Sequence, residues 1–347
     1  MSTFEAVHEP LVARDVLLGR TTHVRRLVPN KTRRMIGAWC FLDHYGPDDV
    51  RQTGGMWVPP HPHTGLQTVT WLFEGTGLHT DSLGSHQLIR PGQLNVMTAG
   101  AGICHAEVSP PDAPALLHGV QLWVCLPDAV RDRTPPDFTH LADLPTWTEH
   151  GVRLRVLVGS LAGEASSAPT YTPVVGAEIT LEPGAEATVP LDPSFEYGVL
   201  VAQGGVQVDG VGIERNAMSY LGSGRRELAF RATGEEETIV MLLGGEPFEE
   251  EIVMWWNFIG RSHEEIVEQR EAWNGDGLGF EPPRFGVVRE FEGGPAAGPA
   301  DAELPPETAR PLRLTADDPD GAAGKIEANV AREPHPAPQW GHNFTCS

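Results

Sequence analysis

Pro60-His61-Pro62-His63-Thr64-Gly65 and Ala99-Gly100-Ala101-Gly102-Ile103-Cys104-His105-Ala106-Glu107 bracket the stretch whose reading decides this chain. Each end carries two metal-capable side chains spaced i, i+2. On a strand, residues two apart point to the same face. His61 and His63 can therefore look one way together, and so can His105 and Glu107. Two such strands facing each other across a barrel would bring three imidazoles and one carboxylate to a single point. These are borderline-to-hard donors, better suited to iron, manganese, nickel, copper or zinc than to calcium or magnesium. Four protein ligands on an octahedral ion leave two positions for water, oxygen or substrate, which is the open arrangement of a site that does chemistry. A lone His-x-His pair is common in proteins that bind nothing. The signal here is both pairs together, separated by turn-rich strands.

Between the two ends the pattern is that of short strands and turns. Thr68-Val69-Thr70-Trp71 is rich in β-formers, Pro91-Gly92 is a turn, and Leu94 to Thr98 is a strand leading into the glycine run. Gly100-x-Gly102 reads as a tight turn that feeds the second pair, since no strand-to-helix context supports a phosphate loop. His79 has no ligand partner two residues away except Asp81, so it reads as a structural or rim residue, with a fifth pocket histidine as the alternative. By alternation Cys104 points away from the ion, as a small buried hydrophobe rather than a redox group.

These residues resemble the pirin family. The resemblance is carried by His61-Pro62-His63-x-Gly65, Thr68 to Trp71, Glu74-Gly75, Asp81-Ser82, Pro91-Gly92, Met97-Thr98-Ala99-Gly100-x-Gly102-Ile103-x-His105-x-Glu107 and Gln121-Leu122-Trp123-Val124. It is strong over roughly residues 15 to 130 and looser to about residue 290. It implies a bicupin, an all-β chain of two cupin-type sandwich or barrel domains. It also implies a mononuclear iron(II) held at His61, His63, His105 and Glu107, with manganese, nickel, copper, cobalt or zinc as the other ions the donors admit. Two positions depart from the family pattern. Thr64 stands where pirins usually carry Arg, and Gln67 where they usually carry Glu. Neither is a family ligand, so the expectation is that metal binding survives and that the charge at the pocket mouth, and with it the substrate, changes.

Composition agrees with a strand-rich chain. Of 347 residues, 39 are Gly and 31 are Pro, favouring many short strands over long helices. The length allows two domains. A formal charge of −22 opposes direct contact with nucleic acid or an anionic membrane. The four cysteines lack paired spacing, the first residues lack a basic-then-apolar leader, and no apolar run approaches the ~20 residues of a spanning helix. The expected location is the cytoplasm, where a ferrous ion stays reduced.

The domain boundaries follow from these patterns. Residues 1–14 read as an arm, 15–130 as the metal-binding cupin domain, and 131–150 as a proline-punctuated linker. Residues 151–292 read as a second cupin domain. No histidine or cysteine occurs between His150 and His263, so that domain cannot repeat the metal site. Within it Ser262-x-x-Glu265 is a capping box that opens a short C-terminal helix over 262–274, closed by Asn274-Gly275. Trp255-Trp256 reads as packing for a domain seam rather than a cap on the pocket. Residues 293–347 are Pro-, Gly-, Ala- and acid-rich and read as an extended or disordered tail.

Two classes of function stay open at this point. As an enzyme, the resemblance implies a dioxygenase similar to quercetin 2,3-dioxygenase, acting on a flavonol or another aromatic enol; the chemistry of the residues adds that Glu107, if its carboxylate swings off the metal, could take the substrate's hydroxyl proton as general base. As a regulatory protein, the same ligands would sense iron redox state and bias a surface that binds a protein partner.

Overall fold

Alternating side chains with both strand faces covered explain the core of the molecule. The computed structural model describes residues 7–18, 22–275, 284–288 and 313–314. The first half begins with β1 (Glu9–Leu11), β2 (Arg14–Leu18), β3 (Thr22–Val28) and β4 (Trp39–Asp49). The metal-capable stretch supplies β5 (Trp57–His63), β6 (Leu66–Glu74), β7 (Gly77–Asp81), β8 (His86–Ile89), β9 (Leu94–Thr98) and β10 (Ile103–Val108). Next come β11 (Leu116–Cys125) and β12 (Asp137–Leu141). A seven-stranded antiparallel sheet runs β12-β9-β6-β11-β4-β3-β2, and a four-stranded sheet β5-β10-β7-β8 completes the first barrel.

The second half repeats this plan. A seven-stranded sheet takes in 146–149, 152–158, 174–181, 196–203, 218–220 and 238–245, and β1 of the N-terminal arm is its edge strand. Strands 186–190, 206–208, 211–213 and 227–232 form the four-stranded partner sheet. Two β-barrel domains and one short C-terminal helix give the all-β, two-domain architecture expected of a bicupin. The arm is thus tied down: Glu9, Pro10 and Leu11 pair with Tyr220, Ser219 and Met218, and Leu11 is buried. The proline-rich connection is also part of the sheets, since β12 pairs with β9 and 146–149 pairs with 152–158.

The two large sheets pack back to back. On β6 the outward residues are Gln67, Val69 and Trp71, and the inward ones are Thr68 and Thr70. Val69 and Trp71 join Leu42, Leu122, Leu200, Met241 and Leu243 in a core that spans both halves. Burying each large apolar side chain there contributes roughly 1.5–3 kcal/mol. Two indole tips in this seam are paired. Trp39 Nε1 donates to Val175 O and Gly244 O, both at 3.1 Å, and Trp71 Nε1 donates to Glu178 Oε2 at 2.8 Å. The second barrel is filled by an apolar cluster in which Val152, Leu154 and Val156 of one strand meet Ile179, Phe230 and Leu242.

The helix His263–Trp273 forms as its capping box predicts. Ser262 Oγ accepts from Glu265 N at 3.2 Å, and Glu265 Oε2 accepts from Arg261 N at 2.9 Å. It packs against the first barrel. Its Ile266 lies with Cys104, Val253, Phe258 and Phe285, and Ile259 N donates to Thr64 O at 3.2 Å. Trp255 and Trp256 border the same cluster, as expected of seam residues. The tail expected over 293–347 lies outside the described residues apart from Arg313–Leu314, which pairs with Ile252–Val253. No helix among the described residues is long and apolar enough to cross a membrane.

Candidate metal centre

His61 and His105 are direct partners across the β5–β10 ladder, and their ring centroids lie 4.3 Å apart. His63 is two residues further along β5, its centroid 5.0 Å from each of the other two rings. This geometry corrects one expectation. The strands do not face each other across the barrel; they are neighbours in one sheet. Facing sheets stand ~10 Å apart, whereas directly paired residues hold their Cβ atoms within about 4.5–5.5 Å. Adjacent strands therefore converge donors with no help from the opposite wall. One nitrogen from each of His61, His63 and His105 lies within 4.8 Å of the others, and all three residues are buried.

The two prolines before His61 shape this end of the site. Between the pairs His105↔His61 and Glu107↔Val58, β5 runs three residues against two on β10, so it carries one extra residue. The bulge falls at Pro59-Pro60, where absent N–H groups leave no ladder bond to lose. Pro59 O lies 2.8 Å from His61 Nδ1 and accepts its proton. That leaves His61 Nε2 as the donor toward an ion.

On its other edge β10 pairs with β7, and here Glu107 stands opposite His79. One donor atom each from His79, His105 and Glu107 also lies within 4.8 Å of the others. His79 is therefore not on the rim. It is buried beside His105, with ring centroids 5.1 Å apart, and its own ring stacks on Phe138 of β12 at 4.2 Å. The structure thus brings His61, His63 and His105 together, sets Glu107 beside His105, and adds His79.

The local electrostatics suit a cation. Burial, then repulsion from neighbouring rings, holds His63 and His105 well below the usual histidine range. Burial, offset in part by the Pro59 carbonyl, brings His61 down to about 4. All three are thus neutral at neutral pH, the form that binds metal. His105 Nε2 is buried and has no hydrogen-bond partner. A buried orphan nitrogen costs about 1–3 kcal/mol unless something fills its lone pair, and a divalent ion would do so. The residues present therefore fit a metal. Burial raises the Glu107 pKa, opposed by His79 and by a hydrogen bond from Thr70.

The inward faces of β4, β6 and β11 complete the chamber. Thr70 Oγ1 lies 3.1 Å from Glu107 Oε1 and 3.0 Å from Gln121 Oε1. One hydroxyl proton serves one acceptor, and an ionised carboxylate is the stronger. Trp123 meets the His63 ring edge-on at 5.0 Å and stacks on Phe41 at 3.9 Å. The Arg26 guanidinium sits 4.4 Å over Phe41 and makes two 2.8 Å bonds to Asp43. An aromatic wall thus leads from the imidazoles toward the partly exposed Arg26. Sequence reasoning did not assign Thr70, Gln121, Phe41 or Arg26 to the site. The available signal was alternation, but β4 and β11 are covered on both faces and show little polar–apolar contrast.

The expectation that Thr64 and Gln67 line the pocket mouth does not hold. Both are buried and point away from the imidazoles. Thr64 Oγ1 donates to Gln269 Oε1 of the C-terminal helix at 3.0 Å. Gln67 Nε2 donates to Thr98 Oγ1 at 3.0 Å and to Pro169 O at 3.1 Å. Cys104 behaves as predicted, fully buried on the face of β10 opposite His105.

Both halves of the chain match known proteins. Residues 21–124 match the profile of Pirin, and residues 176–279 match that of the Pirin C-terminal cupin domain. The chain belongs to the pirin family. It is 46% identical over 290 residues to a Pseudomonas aeruginosa protein named "Putative quercetin 2,3-dioxygenase", covering 83% of this chain and 89% of that one. A pirin-like protein of Caulobacter vibrioides is 38% identical over 258 residues, covering 72% of this chain and 87% of the relative. The crystal structure of a quercetin 2,3-dioxygenase from Acinetobacter baumannii superposes with a TM-score of 0.80 at 39% identity, covering 88% of this chain and 98% of that one. This pirin is therefore a bicupin similar to quercetin dioxygenases, with a histidine-rich candidate metal site in its first barrel.

Proposed function

We propose that this pirin is an iron(II)-dependent dioxygenase acting on flavonols of the quercetin type or on related aromatic enols. The observation that carries the reading is the cluster of three buried, neutral imidazoles, two of them (His63 at Nδ1 and His105 at Nε2) with an orphan nitrogen, beside the carboxyl of Glu107. His61, His63, His105 and Glu107 would hold the ion. When bound, the ion supplies Lewis acidity toward an enol hydroxyl and, as iron, electron exchange with dioxygen.

The chain's own groups have separable tasks. Glu107, its Oε1 engaged by Thr70, would take the proton of the substrate hydroxyl at Oε2 once its carboxylate swings off the ion. The apolar setting that raises its pKa makes it a better base than an exposed carboxylate. The flat stack of Trp123 on Phe41 offers a planar ring an offset aromatic contact beside His63, worth about 0.5–1.5 kcal/mol beyond area burial. The relatives named as quercetin dioxygenases support the same substrate class.

The test is anaerobic purification with ferrous iron, followed by oxygen uptake and carbon monoxide release with quercetin and with simpler enols. Turnover that depends on added metal is the expected result. Absence of turnover with each of iron, manganese, nickel, cobalt and copper would overturn the assignment.

A further inference from the structure

His79 is the histidine of this site that the four-ligand reading leaves without a task. It lies in the barrel interior, and both of its ring nitrogens face polar neighbours. His79 Nε2 is 3.1 Å from Asp81 Oδ2, and His79 Nδ1 is 3.4 Å from His105 Nδ1. Asp81 is itself anchored. Its Oδ1 accepts from Leu83 N and from Ser85 N, both at 2.9 Å, so Oδ2 is the oxygen presented to His79. The His79 ring plane is held by Phe138, stacked at an interplanar angle of 14°.

We propose that His79, clamped between Asp81 and Phe138, is a positioning residue that sets the tautomer of His105 and turns its Nε2 lone pair toward the ion. This rests on the reading of His105 as a ligand. An ionised carboxylate only accepts, so the proton of the Asp81–His79 contact sits on His79 Nε2. With that as the single proton of a neutral imidazole, His79 offers a lone pair at Nδ1. The facing His105 Nδ1 must then carry its own proton and donate it. His105 Nε2 is left bare, and it is the atom that is buried without a partner. The polarity of the whole chain is set by one carboxylate: His105 Nδ1–H to His79 Nδ1, and His79 Nε2–H to Asp81 Oδ2. A ligating imidazole commonly donates its second N–H to such an outer partner. Here a second imidazole is interposed, and the ring that steadies it comes from β12, the connection between the two halves.

The discriminating variant is Asp81→Asn. Its Oδ1 keeps the bonds to Leu83 N and Ser85 N, while its amide Nδ2 replaces Oδ2 as a donor facing His79. The proton order then reverses, and His105 Nε2 becomes protonated. His79→Phe keeps a flat ring against Phe138 and removes both nitrogens. On the full chain, zinc(II) and iron(II) affinities would be measured by competition with a chromophoric chelator. The His105 tautomer would be read by ¹⁵N-resolved NMR of the metal-free protein, and folding by near-ultraviolet circular dichroism.

We expect Nδ1–H on His105 in the unsubstituted protein. Both variants should bind metal about 10–100-fold more weakly with tertiary structure retained, and Asp81→Asn should shift His105 to Nε2–H. Affinity within twofold of the unsubstituted protein in both variants would overturn the proposal. So would a large loss in His79→Phe with none in Asp81→Asn, which would make His79 a ligand. An Nε2–H tautomer in the unsubstituted, metal-free chain would also overturn it. A correct tautomer in a chain that binds neither cation would instead sink the ligand reading while leaving the His79–His105 relay in place.

Discussion

Single residues in this site differ in what they can lose. Glu107→Gln keeps the shape of the side chain and an oxygen that can accept from Thr70, but it removes the charge and the basic oxygen. Metal binding should be kept or modestly weakened while turnover collapses, as read by metal analysis beside oxygen uptake. Equal activity would remove Glu107 from the proton-transfer step. Thr64 makes the opposite case. Its hydroxyl bonds Gln269 at 3.0 Å and does not reach the imidazoles. Thr64→Val should leave metal content and substrate preference unchanged, and should cost about 1–3 kcal/mol for the buried amide oxygen it strands. A lowered urea midpoint with unaltered relative rates across several enols is the expected outcome. A changed substrate order would return Thr64 to the pocket.

At the scale of elements, the turn between β9 and β10 decides where His105 arrives. Gly100 there has φ +53°, and a Cβ on it would lie 2.0 Å from Thr134 O. Both the left-handed backbone and the contact exclude a side chain. Gly65, at the turn after β5, is alike: φ is +70° and a Cβ would meet Ile259 O at 2.6 Å. The glycines flanking the two metal-capable pairs are therefore required by the backbone that faces them. Gly100→Ala should destabilise the protein by about 3 kcal/mol and lower metal occupancy, because relief of the contact moves the start of β10. Chemical denaturation and metal analysis of the same preparation check this, and a stability change below about 0.5 kcal/mol would contradict it.

For the whole molecule, buried histidines set the response to acid. His61 is held to about 4 by burial, and His63 and His105 lie well below the ordinary value of 6.5. In the seam between the halves, His44 and His118 approach with their Nε2 atoms 2.9 Å apart. Burial, then the His118 and Arg25 charges, brings His44 to about 2, and burial, then Arg215, brings His118 to about 4. Each of these rings binds its proton more readily when unfolded. Between about pH 6.5 and 4 the unfolded chain therefore holds more protons, and stability falls as pH falls. Glu107 and Asp43, raised mainly by burial, act in the opposite sense over part of this window. The five histidines outweigh them. The metal-free protein should lose thermal stability steadily from about pH 6.5 downward, and the metal-loaded protein should release its ion over the same range as protons compete for the imidazoles. A melting temperature that stays level down to about pH 4.5 would contradict this.

Residue types and their spacing by themselves determined the metal-capable pairs, the strand-rich character, the lack of histidines for a second such site and the C-terminal helix with its cap. These are local properties: period-two spacing places His61 with His63, and a hydroxyl three residues before a glutamate caps a helix wherever it lies. Only the tertiary structure decided which strands pair. That pairing made the two metal-capable strands neighbours, brought His79 and Phe138 behind His105, and turned Thr64 and Gln67 into seam contacts. The physical reason is that a strand presents two faces, and nothing along the chain says what will cover each. On β6 the face carrying Thr68 and Thr70 looks into the barrel, and the face carrying Gln67, Val69 and Trp71 looks at the second half, a choice made only when the two sheets close on each other.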